Sequence, residues 1–200
     1  MMVRFTCFGG DAMMERIYKN EIERLRSPER VRMLEVERVV ELCLEQIFIT
    51  RVLDVGTGSG LFADAFALRN FEVTGIDKNP VMVKTASDLV PNARFREASA
   101  EQLPFEDRSH DLVFLGHVLH ESDDPLLVLT EAARVADKRV ALLEWPFFAQ
   151  EQGPPLEHRM NPDKIKSLAR RAGFGSIKKT DLEYMVLYRM TPAATKKTRR

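Results

Sequence analysis

Short apolar runs alternate with helix-forming stretches through the middle of this chain, and that alternation restricts its fold more than any other feature. The runs are TRVLDV (50–55), FEVTGID (71–77), ARFREA (93–98), HDLVFLGHV (110–118) and KRVALLEW (138–145). Between them stand LFADAFALRN (61–70), PVMVKTASDLV (80–90) and the stretch opened by Asp124-Pro125, whose Leu126, Leu129 and Ala133 mark one face. Residues 110–118 show little polar alternation, as a strand covered on both faces does. Strands separated by helices run parallel, because right-handed crossovers lay the helices over the sheet. The expected class is therefore α/β, a doubly wound and mostly parallel sheet with helices on both faces. Ligands in such sheets bind at the carboxyl ends of the strands, which directs attention to the turns after residues 55, 77, 98, 117 and 145.

The flanks extend this plan. Residues 11–46 are charged and helix-friendly, and the spacing predicts two N-terminal helices broken near Ser27-Pro28, where serine caps and proline fits a first turn. Residues 146–161, rich in Pro, Gly and Gln, read as a loop on the substrate side. Asn161-Pro162 then opens a helix with Ile165, Leu168, Ala169 and Ala172 on one face, and Gly173 stands where a left-handed cap ends it. GSIKKTDL (175–182) and EYMVLYRM (183–190) read as two antiparallel neighbours joined by a tight turn, which brings the sheet to seven strands with an antiparallel C-terminal strand. The resulting division is an N-terminal helical lid or cap over 1–48, a ligand-binding domain over 49–192 and a basic, disordered tail over 193–200.

Composition narrows the partners. With 200 residues, 44% of them hydrophobic, the chain can bury one sizeable core. Its 30 Lys+Arg balance 30 Asp+Glu, so no overall field draws it to nucleic acid or an anionic membrane. Cys7 and Cys43 have neither CxxC spacing nor a neighbouring histidine, which argues against a disulfide scaffold or zinc and for a reducing cytoplasm. The sequence MMVRFTCFGGDAMMER lacks a signal-peptide core, and no apolar run approaches the roughly 18 residues of a spanning helix, so neither secretion nor membrane insertion is expected. His117-Val118-Leu119-His120-Glu121 has the order HxxHE, which matches neither zincin arrangement, and no metal is expected.

The turn after the first run reads Asp54-Val55-Gly56-Thr57-Gly58-Ser59-Gly60. Glycines at alternate positions let the backbone turn sharply and approach a ligand closely. Asp77 ends the next run, where a carboxylate can accept from both hydroxyls of a ribose, and together these features describe a nucleoside site. A dinucleotide fingerprint needs glycine at 61, where Leu61 stands, so an NAD-linked oxidoreductase is the less favoured reading.

VLDVGTGSG followed by GIDKNPVM resembles motif I and its successor in class I S-adenosylmethionine-dependent methyltransferases, where an acid such as Asp54 characteristically ends the first strand. SAEQLPF (99–105) resembles the adenine-contact segment DAEELPF, and HDLVFLGHVLH (110–120) the fourth-strand motif of that family. RVADKRVALLEWP (134–146) and AGFGSIKKTDL (172–182) complete a match over about residues 50–190, most similar to the methyltransferase type 11, or quinone-methyltransferase-like, group. The resemblance implies a Rossmann-like fold, S-adenosylmethionine as cofactor with S-adenosylhomocysteine as product, and a small-molecule methyl acceptor. It implies that Gly56, Thr57, Gly58 and Gly60 line the methionine end with Asp54 behind them. Asp77 would bind the ribose, with Lys78 and Met82 beside the adenosine and Ser99, Ala100 and Glu101 around the adenine. Gly116 and His117 would line the methyl end. Met82, like Met13 and Met14, also has a packing reading, because methionine fills irregular gaps. Two departures stand out: Ser99 replaces the family's aspartate, and Ala136-Asp137-Lys138 replaces its proline-glycine-glycine turn.

Transfer of a methyl from a sulfonium is an in-line displacement, so positioning does most of the work and a base is needed only for a hydroxyl or carbon acid. Candidate bases are His117, His120, Glu121, Glu144 and His158, with His117 placed at the site and His120 read as structural or capping. The position that grips a flipped base or amide in amino-methyltransferases here reads Gly116-His117-Val118-Leu119, which favours a small-molecule acceptor over nucleic acid. Phe5, Phe8 and Tyr18 on the N-terminal helices are read as a lid that excludes water. A methyltransferase-like binding module without catalysis is the remaining alternative. The acceptor's identity and the oligomeric state stay open at this point.

Overall fold

The computed structural model describes residues 23–193. Seven strands form one sheet in the order β3-β2-β1-β4-β5-β7-β6. They are β1 (Arg51–Val55), β2 (Glu72–Asp77), β3 (Arg94–Glu97), β4 (His110–Gly116), β5 (Ala136–Glu144), β6 (Phe174–Asp181) and β7 (Val186–Pro192). The first five pair in parallel, and β7 runs antiparallel to both β5 and β6. The helices are α1 (Pro28–Met33), α2 (Val36–Leu44), α3 (Leu61–Ala67), α4 (Pro80–Leu89), α5 (Pro125–Val135) and α6 (Pro162–Arg171). The expected doubly wound α/β architecture, with its antiparallel C-terminal strand, is the one observed.

Alternate residues of the central strands feed two apolar layers. Leu53, Val55, Val113 and Leu115 pack with α5 and α6 on one face, while Val52, Leu112 and Phe114 pack with α2 and α3 on the other. The four proline-led helices α1, α4, α5 and α6 begin at Ser27, Asn79, Asp124 and Asn161, whose side chains accept from first-turn amides.

Three local features differ from expectation. The N-terminal helices break near Ser27 as the spacing predicts, but break again at Glu35, which is left-handed at φ +45°. Its carboxylate accepts from Glu183 N at 2.6 Å, so the second break ties α2 to the β6–β7 turn. β5 starts at Ala136 directly from α5, with no separate turn. Arg134 holds that junction by bonding Glu131, Asp107 and the carbonyls of Leu103 and Phe105, and a bulge between His110 and Leu112 absorbs the extra residue. β4 ends at Gly116, because His117 turns the chain away at φ +60°.

Residues 146–161 form the expected loop, with one short helical turn at Leu156–His158. Order comes from Arg159, which is only 5% exposed and donates to the carbonyls of Pro146, Phe148, Gln152 and Pro154. Its guanidinium also lies 5.6 Å from the Trp145 ring centre. Phe5, Phe8, Tyr18, Met13, Met14, Cys7 and the tail over 194–200 lie outside the described residues. Among the described residues no helix is long and apolar enough to cross a membrane, and no cluster of side chains could hold a metal ion.

Candidate active site

A cavity of about 630 Å³ opens at the carboxyl ends of β1, β2 and β4, the place doubly wound sheets reserve for ligands. That volume falls in the range of roughly 300–1,000 Å³ typical of small-molecule and cofactor sites. Asp54, Gly56, Thr57, Gly58, Asp77, Lys78, Met82, Ser99, Ala100, Glu101, Gly116 and His117 all line it, which brings together nearly every residue singled out from the sequence.

The glycine turn shows why its residue types are needed. Gly56 sits at φ +66°, and a Cβ there would fall 2.4 Å from Val118 Cγ2, so any side chain would collide with the turn after β4. Gly58 is also left-handed, at φ +53°, but a Cβ would meet nothing within 4 Å, so the space beside its Cα is open. Gly60 differs from expectation: it does not line the cavity and starts α3, where a Cβ would press on Val90 and Ala86 of the next unit at 3.1 and 3.2 Å. Its role is close packing of two segments rather than contact with a ligand.

Two carboxylates organise the turn. Asp77 accepts from Gly58 N and from Asn79 N, both at 2.9 Å, and so ties the turn after β1 to the turn after β2. Each carboxylate oxygen has further lone-pair capacity toward the cavity. Asp54 is 2% exposed, and its Oδ2 accepts from Thr57 Oγ1 at 2.6 Å. Burial pushes its pKa up to about 7, against the opposing pull of the Thr57 hydroxyl and the Ala63 amide.

The 99–101 segment is held by hydrogen bonds within the loop and to the start of α5. Ser99 Oγ accepts from Glu101 N at 3.2 Å, and Glu101 Oε1 accepts from Asp123 N and Asp124 N at 3.1 and 3.0 Å. The Glu101 carboxylate thus fastens this loop to the start of α5.

Residues 53–143 match the family model of the methyltransferase domain, Methyltransf_11. Over this segment the chain is similar to the methyltransferase domain. An uncharacterized methyltransferase of Bacillus subtilis, YcgJ, is 35% identical over 116 residues, which are 56% of this chain and 46% of the relative. A demethylmenaquinone methyltransferase of Chlorobaculum tepidum is 37% identical over 86 residues, 42% of this chain and 36% of the relative. The chain thus spans less than half the length of these curated relatives. Among solved structures, a SAM-dependent methyltransferase from Aquifex aeolicus superposes with a TM-score of 0.78 at 23% identity, over 87% of this chain and 98% of that one. The likeness of that pair is one of fold.

The two histidines after β4 are positioned very differently from one another. His117 is inserted by its strained backbone, a cost that recurs at functional sites. Both of its ring nitrogens are buried and have no hydrogen-bond partner among the described residues. Burial, with help from the Arg30 and His120 charges, pushes its pKa down to about 3. The imidazole is therefore neutral near pH 7, which suits a hydrogen-bonding role at the site where the sequence places it. His120 Nδ1 lies 2.7 Å from Glu144 Oε2, while Glu144 Oε1 accepts from Leu119 N and His120 N. Glu144 is 1% exposed, so this pair braces the turn after β4, in line with the structural reading of His120. His158 lies apart, on the loop near Arg159, and Glu121 lines the cavity.

Sequence reasoning placed a cap on the N-terminal helices but did not single out which of their residues reach the cavity. Leu25, Arg30 and Leu34 line the cavity, as do Phe62, Phe114 and Asn79. Arg26 holds this wall in place by donating to Ser59 O at 2.9 Å and pairing with Asp64. A motif carries no information about which distant helix will fold over it, so only Asn79, next to Asp77, had a local signal.

Proposed function

We propose that this chain is an S-adenosylmethionine-dependent methyltransferase acting on a small-molecule acceptor. The observation that carries the reading is the pairing of Asp77 with the glycine turn at the edge of one nucleoside-sized cavity. The residues present fit the cofactor: Gly58 leaves its approach open, Asp77 has lone pairs for a ribose, and His117 offers unpaired nitrogens at the far end. When bound, S-adenosylmethionine supplies a methyl group already activated on a sulfonium, so no protein nucleophile is required.

The chain's own residues then have defined tasks. Asp77 orients the ribose, and Met82 with the 98–101 loop covers the nucleoside. Asp54 balances positive charge behind the glycine turn. His117 and Gly116 form the wall nearest the transferred methyl, and Leu25 and Leu34 keep water from it, the task expected of the N-terminal helices as a cap. The quinone methyltransferases among the relatives support a small-molecule acceptor. The neutral charge balance and the ordinary Gly116-His117-Val118-Leu119 sequence support it equally, with nucleic acid disfavoured.

Calorimetric titration tests the reading. S-adenosylmethionine and S-adenosylhomocysteine are expected to bind saturably, NAD not at all, and Asp77→Ala to lose at least about tenfold in affinity. Binding of NAD in place of the other two would overturn it. The same fold occurs in the [4+2]-cyclase SpnF at a TM-score of 0.62 and 21% identity, so transfer of a labelled methyl to a trial acceptor separates a methyltransferase from a module that only binds the cofactor.

A further inference from the structure

Arginines of the described residues that leave solvent find hydrogen-bond acceptors, with one exception. Among the described residues that are buried or half-buried, Arg26, Arg69, Arg134, Arg139, Arg159 and Arg189 each donate to a carboxylate or to backbone carbonyls. Arg30 is the exception. It is half-buried on α1 and lines the cavity, and no acceptor among the described residues takes a hydrogen bond from its guanidinium. Its platform is the Trp145 ring, whose centre lies 5.9 Å away. A partly desolvated guanidinium with none of its donors bonded among the described residues is unfavourable unless an acceptor completes it.

We infer that Arg30 is the anion-binding group of the acceptor subsite, and that the acceptor is a small organic acid with an apolar body and one anionic oxygen group. The inference rests on the methyltransferase reading and adds the acceptor's chemistry to it. Its location carries the argument. Trp145 directly follows β5, two strands from the glycine turn in the order β1-β4-β5, which is about 10 Å at ordinary strand spacing. Asp77 and Lys78 lie on the opposite side, at the end of β2. The guanidinium therefore stands beyond the nucleoside end of the cavity, next to His117, whose ring centre is 5.2 Å from that of Trp145.

The surroundings specify the rest of the occupant. Leu25, Leu34 and Phe62 line the same cavity and fit an apolar body. His117 contributes a hydrogen bond without a second positive charge, while Glu121 and Asp123, also in the lining, disfavour a second negative charge on the ligand. A monoanion matches this balance better than a neutral lipid or a diphosphate. Arg26 leaves Arg30 little freedom to retreat, because its bond to Ser59 and its pair with Asp64 fix the chain four residues earlier. A fixed guanidinium fork gives an oxygen anion directional recognition that a mobile lysine would not.

The test uses the full chain saturated with S-adenosylhomocysteine and two calorimetric probes, benzoate and its neutral isostere benzamide. Benzoate is expected to bind about tenfold or more tighter than benzamide. Arg30→Gln should abolish that preference while leaving S-adenosylhomocysteine affinity within about twofold, and Arg30→Lys should restore part of it. Equal binding of the two probes, or no binding of benzoate, overturns the inference. So does a loss of S-adenosylhomocysteine affinity in Arg30→Gln that spares 5′-methylthioadenosine, because the guanidinium would then serve the cofactor's own carboxylate. If the unaltered chain binds neither S-adenosylmethionine nor S-adenosylhomocysteine, the methyltransferase reading falls and this inference with it, whereas the other failures leave that reading standing. Thermal melting of each variant identifies any that has lost its fold.

Discussion

The two sides of the cavity are built on different principles. At the β1–β2 end the wall is mostly backbone: a left-handed glycine turn, the amides of Gly58 and Asn79, and one carboxylate that ties them together. At the β5 end it consists of side chains from remote segments, with Arg30 from α1, His117 after β4 and Arg159 from the loop each placed against Trp145 after β5. Backbone geometry tolerates almost no change of residue. A side-chain wall can be rebuilt one residue at a time without moving the strands, which is how one fold accommodates many acceptors.

That contrast is broken most severely at Gly56. Gly56→Ala places a methyl 2.4 Å from Val118 Cγ2 at a φ of +66°. Left-handed strain of roughly 1–2 kcal/mol and overpacking of roughly 1–3 kcal/mol predict a loss near 3 kcal/mol in stability. Cofactor affinity should fall at least about a hundredfold by calorimetry. Adding Val118→Ala relieves the collision but not the backbone strain, so the double variant should recover only part of the stability. Full recovery would mean that the turn does not depend on its left-handed conformation.

Arg159 offers the complementary test on the other side. Arg159→Ala removes four carbonyl contacts and a stacking partner of Trp145, so a loss of about 2–3 kcal/mol is expected. The lesion should be local, with hydrogen exchange rising over residues 146–160 while S-adenosylhomocysteine affinity changes little. A large drop in cofactor affinity would show that the two sides are not independent.

The same division explains what was legible in the sequence. The parallel sheet, the caps at Asn79, Asp124 and Asn161, and the residues from Asp54 to Asp77 announce themselves through spacing within about 25 positions, because strand, turn and helix are local objects. Arg30 and Leu34 gave no such signal: a helix with one charged and one apolar face looks the same whether it covers a cavity or the sheet. Arg159 was hidden for a related reason. A Pro- and Gly-rich stretch reads as irregular, and nothing in its spacing reveals that a single guanidinium will gather its carbonyls. Gly60 shows the opposite error, since its place in the glycine motif concealed a packing role against Ala86 and Val90.

The smallest expected effect sharpens the comparison most, because it concerns a charge rather than a shape. Asp54 lies under the glycine turn with its pKa pushed up to about 7 by burial. A carboxyl raised above its unfolded value stabilises the fold most fully below that unfolded value, near 4, and loses the contribution as pH rises through about 7. In the ligand-free protein Asp54→Asn should therefore raise the melting temperature more at pH 8 than at pH 5. Cofactor binding has the opposite sign. The sulfonium and ammonium of S-adenosylmethionine favour the ionised carboxylate, so binding below pH 7 must expel a proton, and affinity should climb as pH rises from about 5.5 to 7.5 and then level off. The expected gain is no more than about tenfold per pH unit. Titrations in buffers of different ionisation enthalpy should register the released proton, and Asp54→Asn should flatten both the pH profile and the buffer dependence. An unchanged profile in that variant would move the titration to another group and leave Asp54 with only its bond to Thr57, a backbone support like the rest of that wall.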